Sequence, residues 1–307
     1  MAHILPLAYF DNQIVPIWEA HLNISSSAVL YWLSVYTVFP IFQQKNEWST
    51  FRLRDHFQRL LNSAKIVWID TFEIEWNYDK FLSTVAELVE KNTPKTDVFA
   101  RATVHVDEQI PGIRSRWLHT VLSIFLYEAN SILPPTGARI MTSHWRRTPD
   151  TSIPSRAKIN GSYINSVLAK QEALDHDCDD CVFLNHNGQV SELSAANIFI
   201  VKNGTVLTPS RTSDILEGIN RDTIIQICHS ENIPLIETSI ASTELYTADE
   251  IFACGTSASL VPIIEIDKRK IGHGVCGGIT SILKNLYTWI LHGEDEKYSS
   301  LITRFPL

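Results

Sequence analysis

The chain has 307 residues, of which 45% are hydrophobic and 20% charged, enough to build one or two sizeable cores. Lys and Arg number 26 against 34 Asp and Glu, a formal net charge of −8. That balance offers no electrostatic footprint for nucleic acid and no basic run for an anionic membrane, so small-molecule chemistry is expected.

Met1-Ala2-His3-Ile4-Leu5-Pro6 lacks the basic stretch and the long apolar run of a signal peptide. Short strands are predicted at residues 5–10, 14–17 and 29–38. The most apolar stretch, residues 29–42, is broken by Ser34, Thr37 and Pro40 and is too short to span a bilayer. A soluble cytoplasmic protein is therefore expected. Leu53, Phe57, Leu60, Leu61 and Ala64 recur at helical spacing, and a second amphipathic helix is predicted over residues 78–91. Strand-like segments follow at residues 98–105 and 121–127.

Pro134-Pro135-Thr136-Gly137 disfavours both helix and central strand and reads as a linker. The expected division is a smaller domain over residues 1–133, a linker at 134–139 and a larger domain over 140–307. Beyond the linker come a helix at 161–176, a strand at 182–184 and a turn at Asn187-Gly188. A hairpin is plain: Ile198 to Val201, the turn Asn203-Gly204, then Val206 to Thr208. Gly218 opens a helix running to Ser230, and strands at 235–239, 251–253 and 263–266 precede a last helix at 279–291. With hairpins this frequent, a two-domain α/β (α+β) mixture is expected rather than a purely parallel sheet. Of five cysteines only Cys178 and Cys181 form a C-x-x-C pair, with no second pair or nearby His. Free thiols in a reducing compartment, and no metal, are expected.

Several segments can carry chemistry. Lys158 sits between the proline-containing Ile153-Pro154-Ser155-Arg156 and a predicted helix, flanked by Ala157 and Ile159. A lone lysine is usually a solvated surface residue; one held among apolar neighbours loses its proton more readily and attacks an aldehyde. Gly161 lets something approach closely. Glu192 follows the turn at Gly188, where a strand-end carboxylate ordinarily faces water. Buried instead, it would keep a pyridine ring protonated and make it an electron sink. Leu216-Glu217-Gly218-Ile219-Asn220 is a glycine entering a polar first helical turn, whose N–H groups and dipole suit a phosphate. Gly255-Thr256-Ser257-Ala258-Ser259 is a second loop rich in hydroxyl and N–H donors. Arg59, on the polar side of the first helix, has the fork geometry that phosphate prefers.

Taken together these segments resemble a family. Phe51-Arg52-Leu53-Arg54-Asp55-His56 through Arg59 and Ser63-Ala64 is similar to the "FRLxEHxxRLxxSA" helix of branched-chain aminotransferases. Lys158 with Tyr163, Gly188-x-x-Ser191-Glu192, Asn197-Ile198-Phe199, Thr208-Pro209 and Ile215-Leu216-x-Gly218-Ile219-x-Arg221-Asp222 match the same family, and Gly255-Thr256-Ser257-Ala258 matches its "GTAAE" loop. The resemblance implies a class IV (fold type IV) pyridoxal-phosphate aminotransferase with an active site at the domain interface, completed in a homodimer. It implies that Lys158 carries pyridoxal 5'-phosphate as a Schiff base and later moves a proton. By the same resemblance Glu192 pairs with the ring nitrogen and Tyr163 with the phenolic oxygen, and Leu216 packs on the ring. Arg59, the backbone at Ile219 and Asn220, and Thr256 hold the phosphate, and Gly218 and Ser257 belong to the same cofactor-binding set. Tyr31, Tyr36, Phe99, Arg101, Trp145 and Ala258 match substrate-pocket positions. The partners implied are an amino acid, with an apolar or bulky side chain, and a 2-oxo acid.

The pattern departs on the substrate side. Where relatives read "YGxxVFEGIR", this chain has Tyr31-Trp32-Leu33-Ser34-Val35-Tyr36-Thr37-Val38-Phe39-Pro40. Trp32 replaces a glycine, Thr37-Val38 replaces Glu-Gly, and Phe99 stands for the tyrosine of "YIRP". Asn220 stands where threonine is usual. Two other readings are open: a lyase of the same fold, such as aminodeoxychorismate lyase, and a non-catalytic binding protein that has kept the fold.

Overall fold

β1 (His3–Phe10) and β2 (Gln13–Pro16) start the first sheet as an antiparallel hairpin. Asp11 and Asn12 form its turn with φ of 46° and 65°, the left-handed pair that a two-residue hairpin requires. The computed structural model describes residues 3–45, 47–109 and 111–306; Met1 and Ala2 of the N-terminal segment read above lie outside them. Next come α1 (Ser27–Leu30), β3 (Ser34–Gln43), β4 (Glu47–Phe51), α2 (Leu53–Ile66), α3 (Asp70–Glu75), α4 (Tyr78–Asn92), β5 (Val98–Val106) and β6 (Thr120–Glu128). The expected strand at 29–38 is corrected here. Residues 27–30 make a helical turn, and Trp32 takes a φ of 54° before β3 begins at Ser34. The strand then continues through Pro40, whose carbonyl accepts the Thr50 hydroxyl at 2.7 Å.

β7 (Ala138–Arg146), α5 (Tyr163–Asp175), β8 (Asp180–Leu184), β9 (Val190–Leu193), β10 (Asn197–Lys202) and β11 (Thr205–Pro209) follow. The second half ends with α6 (Ile219–Ser230), β12 (Leu235–Thr238), β13 (Glu250–Gly255), β14 (Ser259–Ile266), β15 (Arg269–Lys270), α7 (Gly278–His292) and β16 (Ile302–Pro306). One sheet has the order β16-β4-β3-β5-β6-β1-β2; the other runs β12-β11-β10-β13-β14-β7-β8-β9, with β15 on β14. The β10–β11 hairpin turns at Asn203 and Gly204, φ 49° and 77°. In the second sheet β11–β12, β14–β7 and β7–β8 are parallel and the other pairs antiparallel, the mixture that the hairpin content predicted.

Two compact units result, and they are not contiguous in sequence. One comprises Met1–Asn130, Ala157–Gly161 and Leu291–Leu307; the other Ser131–Arg156 and Ser162–Ile290. The sequence placed Lys158 and the C-terminal segment in the second domain, whereas both pack in the first unit. The cause is strand pairing: Ile159 bridges to Val35, and β16 pairs with β4.

In the first unit one sheet face is covered by helices. Val35, Phe39, Ile41, Ala100, Ala102, Val104, Ile124 and Leu126 pack against Leu53, Phe57 and Leu60 of α2 and Phe81, Val85 and Leu88 of α4. By strand alternation the opposite face carries Tyr36, Val38, Phe99, Arg101, His105, Ser123, Phe125 and Tyr127. His105 Nε2 is 2.8 Å from the Ser123 hydroxyl. Burial, then the nearby Arg101 cation, pushes the His105 pKa from 6.5 down to about 4. Between those values the unfolded chain binds a proton here that the folded chain refuses, so stability falls as pH drops through that window. From about pH 7 to about pH 5 the loss from this residue is about 1–2 kcal/mol, allowing for partial screening. Urea midpoints at the two pH values should therefore lie closer together in a His105→Gln variant than in the parent.

In the second unit the core is a layer of aliphatic side chains from β7, β8, β10, β13 and β14, among them Ile140, Val182, Ile198, Ile200, Ala253, Val261 and Ile263. All five cysteines are free thiols. Among the described residues no helix is long and apolar enough to cross a membrane, and no group of three or more His, Cys, Asp or Glu could hold a metal ion.

Candidate active site

The expected site residues fall into two sets, one in each unit. In the first unit, β4 pairs with β3 only at Ile41 to Gln43, so the other end of β3 has an edge available on that side. Residues 158–160 take it. Tyr36 N–H donates to the Lys158 carbonyl at 2.9 Å and Asn160 N–H to the Ser34 carbonyl at 3.0 Å. The Lys158 N–H donates to Ser63 Oγ at 3.0 Å, and that hydroxyl donates to the Arg59 carbonyl at 2.7 Å. One serine thus ties the lysine backbone to the helical turn that carries Arg59.

The side chains above this backbone are equally placed. Lys158 Nζ lies 4.9 Å from the centre of the Tyr36 ring, and the Arg101 guanidinium lies 3.7 Å from the same centre. Arg101 Nη2 donates to Asn160 Oδ1 at 2.7 Å, and Asn160 Nδ2 donates to Ser34 Oγ at 2.6 Å. Arg59 Nη2 donates to Thr37 Oγ1 at 3.3 Å, which in turn stands 2.8 Å from His56 Nδ1. Phe99 sits across from Tyr127, ring centres 5.7 Å apart. Tyr31 ends the α1 turn and is exposed. The close approach expected at Gly161 is made by Trp32, since a Cβ on that glycine would lie 3.2 Å from Trp32 Cβ. Trp32 has a left-handed backbone, φ 54°, a conformation that glycine adopts without strain, which fits the glycine of the branched-chain pattern at this position.

In the second unit, Glu192 on β9 is buried and held by three donors. Arg147 Nη2 meets Oε1 at 2.7 Å, while Asn197 Nδ2 and the Leu216 N–H reach Oε2 at 3.1 and 3.2 Å. Asn197 Nδ2 also donates to the Leu216 carbonyl at 2.9 Å, and Arg147 Nε to the Asp214 carbonyl at 3.2 Å. Gly218 is the N-cap of α6 and has no side chain with which to cap it, and Ile219 and Asn220 form its first turn. N–H donors at the positive end of a helix are what an anion takes. The loop from Gly255 to Ala258 lies beside the start of β10: Cys254 pairs with Asn197, and a Cβ on Gly255 would meet Ala195 and Ala196 within 3.4 Å. Ala258 is buried, and Thr256 and Ser257 are half-buried. Tyr163 is the first residue of α5, and Trp145 stands partly exposed on β7 against His144.

Gly218 admits no side chain. A Cβ would stand 2.1 Å from Asn197 Oδ1, the amide whose other end clamps Glu192 and Leu216. Gly218→Ala should therefore displace Asn197 and weaken cofactor affinity about tenfold or more, read by fluorescence titration, with about 1–3 kcal/mol lost from stability.

The residues missed by sequence reasoning are Arg147, Ser63, Asn160 and the Thr37–His56 pair. Arg147 sits in Arg146-Arg147, which reads as two solvated cations; only the fold brings one of them to a buried carboxylate. Ser63 could have been found, four residues after Arg59 on one helix, where a serine commonly bonds back to a carbonyl. The residue types in each unit fit pyridoxal phosphate: an amine and a guanidinium in the first, and in the second a helix N-terminus suited to a phosphate and a buried, ion-paired carboxylate suited to a protonated ring nitrogen.

The family model for amino-transferase class IV matches residues 34–266. A "Probable branched-chain-amino-acid aminotransferase" of Aquifex aeolicus is 35% identical over 303 residues, covering 97% of this chain and 96% of that one. The crystal structure of a branched-chain aminotransferase from Thermoproteus uzoniensis with norvaline superposes with a TM-score of 0.92 at 34% identity, covering 98% of this chain and 99% of that one. The branched-chain amino acid aminotransferase of Thermobaculum terrenum, in its PLP-form (holo-form), gives 0.89 at 29% identity, with 98% and 99% covered.

Proposed function

The chain belongs to the class IV aminotransferases and is a pyridoxal-phosphate-dependent enzyme; from that premise we propose that it moves the amino group of aliphatic amino acids, branched-chain ones foremost, to a 2-oxo acid. The observation that carries the substrate class is the face of the first sheet opposite its helices. There Lys158 and Arg101 face one tyrosine ring, and Val38, Phe99, Phe125 and Tyr127 surround them with apolar surface. Arg101 is the cation for a substrate carboxylate, and the aromatic surface takes an apolar side chain. The names of the relatives support the same choice.

When bound, pyridoxal phosphate supplies the electron sink and carries the amino group between half-reactions. This chain's own residues do the rest. The Lys158 amine holds the cofactor and moves the proton at the substrate α-carbon. Arg59, the first turn of α6 at Ile219 and Asn220, and Thr256 with Ser257 take the phosphate. Glu192, fixed as an anion by Arg147, keeps the ring nitrogen protonated. Tyr163 serves the phenolic oxygen and Leu216 packs on the ring.

Initial rates with leucine, isoleucine, valine, phenylalanine, alanine and aspartate as single donors, with 2-oxoglutarate as acceptor, test this reading. The three branched donors should turn over at least about tenfold faster than aspartate, from the differential burial of two or three methylene-sized groups. Fastest turnover of aspartate overturns the substrate class. Repeated turnover of aminodeoxychorismate to pyruvate with no acceptor present replaces transamination with the lyase reading.

We also propose a homodimer in the cytoplasm. Trp18, Ile24, Val29, Leu30, Tyr31 and Trp32 lie close together in sequence, and all are exposed in the single chain; exposed apolar surface of that kind marks an interface. Free thiols suit a reducing compartment. Light scattering should give twice the chain mass of 34.8 kDa.

A further inference from the structure

Thr37 and His56 are both fully buried, on β3 and α2, against the helix-covered face of the first sheet. Arg59 lies one turn beyond His56 on the same helix. Neither Thr37 nor His56 has a role in the reading above, and Thr37 is one of the positions at which this chain departs from the branched-chain pattern. A guanidinium can only donate, so at 3.3 Å the Thr37 hydroxyl accepts from Arg59 Nη2. We assign its own hydrogen to His56 Nδ1, 2.8 Å away, which places the imidazole proton on Nε2, a buried atom with no hydrogen-bond partner among the described residues.

We propose that Thr37 and His56 are positioning residues for the cofactor phosphate: the Thr37 hydroxyl, anchored by the buried imidazole, fixes the Arg59 guanidinium in the orientation that receives a phosphate monoester. The inference rests on Arg59 as the phosphate cation. A neutral hydroxyl orients the guanidinium without cancelling its charge, which an acidic side chain at the same place would do. His56 also stays neutral. Burial first, then the Arg59, Lys158 and Arg52 cations, hold its pKa far below the ordinary histidine value, so the ring remains an acceptor and adds no repelling charge behind Arg59. The His56 ring is itself set by Phe39, 5.7 Å between centres.

The test titrates the cofactor-free full-length protein with pyridoxal phosphate and, separately, with pyridoxal, which lacks the phosphate. Arg59→Met should weaken pyridoxal phosphate alone. Thr37→Val, nearly the same shape without the hydroxyl, should weaken pyridoxal phosphate about tenfold and leave pyridoxal within about twofold. Thr37→Ser should restore most of the loss. His56→Leu should behave like Thr37→Val, and His56→Asn, which keeps an acceptor near Nδ1, should lose less. Unchanged pyridoxal affinity is the control for folding. A Thr37→Val protein that binds pyridoxal phosphate as tightly as the parent, or loses both ligands equally, overturns the proposal. An Arg59→Met protein with no selective loss removes the underlying reading and the inference with it.

Discussion

Lys158→Ala should lose transamination by about 10³-fold or more while remaining folded, because one side chain both carries the cofactor and moves the proton. The contacts that place residue 158 use its backbone: its carbonyl accepts from Tyr36 N–H and its N–H donates to Ser63. Alanine retains both. Unfolding free energies of the cofactor-free proteins should therefore differ by only about 1–2 kcal/mol, the order of losing the side chain's own contacts, among them that with the Tyr36 ring. The yellow colour of the lysine-linked cofactor should disappear. A small external amine such as methylamine should recover part of the rate, since it can replace the base but not its placement. In the cofactor-free proteins the His56 pKa should rise on this substitution, because the Lys158 charge is one of the cations that lower it; imidazole NMR would read the change. A colourless parent protein, even after incubation with pyridoxal phosphate, would sink the assignment of Lys158. An alanine variant with parental activity would do the same.

Much of the scaffold is legible in the sequence where a local rule decides it. Asn203-Gly204 between two apolar alternations can only be a tight hairpin, and both residues have the positive φ that such a turn demands. Gly218 before Ile219 marked a helix start, and α6 begins there. The helices around Leu53 and Phe81 follow from spacing alone, since one face of each must be buried. Local rules give out where pairing is distant. Residues 158–160 lie well over a hundred positions from the strand edge they complete; Ser34 and Asn160 are 126 apart. The short strands β4 and β16 hydrogen-bond to each other although they lie far apart along the chain, and neither is apolar enough to declare itself. Residues 29–31 read as strand by β-branched and aromatic content, but the left-handed Trp32 and the helical turn before it win locally.

The candidate site divides along the same line. Lys158, Glu192 and Arg59 could be singled out because a family pattern surrounds each of them. Their partners could not, since nothing in a sequence says which of two adjacent arginines will meet a carboxylate. That choice is made by the parallel pairing of β7 with β8, which brings Arg146 opposite Leu184, and by the bond from Arg147 N–H to the Leu184 carbonyl. With Arg146 and Arg147 on adjacent positions of this path, it is Arg147 that forms the ion pair with Glu192.

That buried pair sets the second large effect. Glu192→Gln should lose about 3 kcal/mol of stability and at least about 10²-fold in activity, although the side chain barely changes shape. The carboxylate accepts from three donors: Arg147 on one oxygen, Asn197 and Leu216 N–H on the other. An amide has only one oxygen. If it faces Asn197 and Leu216, its NH2 group confronts the Arg147 guanidinium; if it turns round, its NH2 confronts the two N–H donors. Either way a buried donor meets a donor, and Arg147 is left as a buried cation without its counter-ion, the costly way to break an ion pair. Stability and chemistry can then be separated. Arg147→Met added to Glu192→Gln removes the stranded cation and lets the amide oxygen serve Asn197 and Leu216, so about half or more of the lost stability should return. Activity should not, because an amide cannot hold a ring nitrogen protonated as an anion does. Urea midpoints beside initial rates for the parent, the single variant and the double variant give both answers. Activity returning in step with stability would mean that Glu192 matters only as the partner of Arg147.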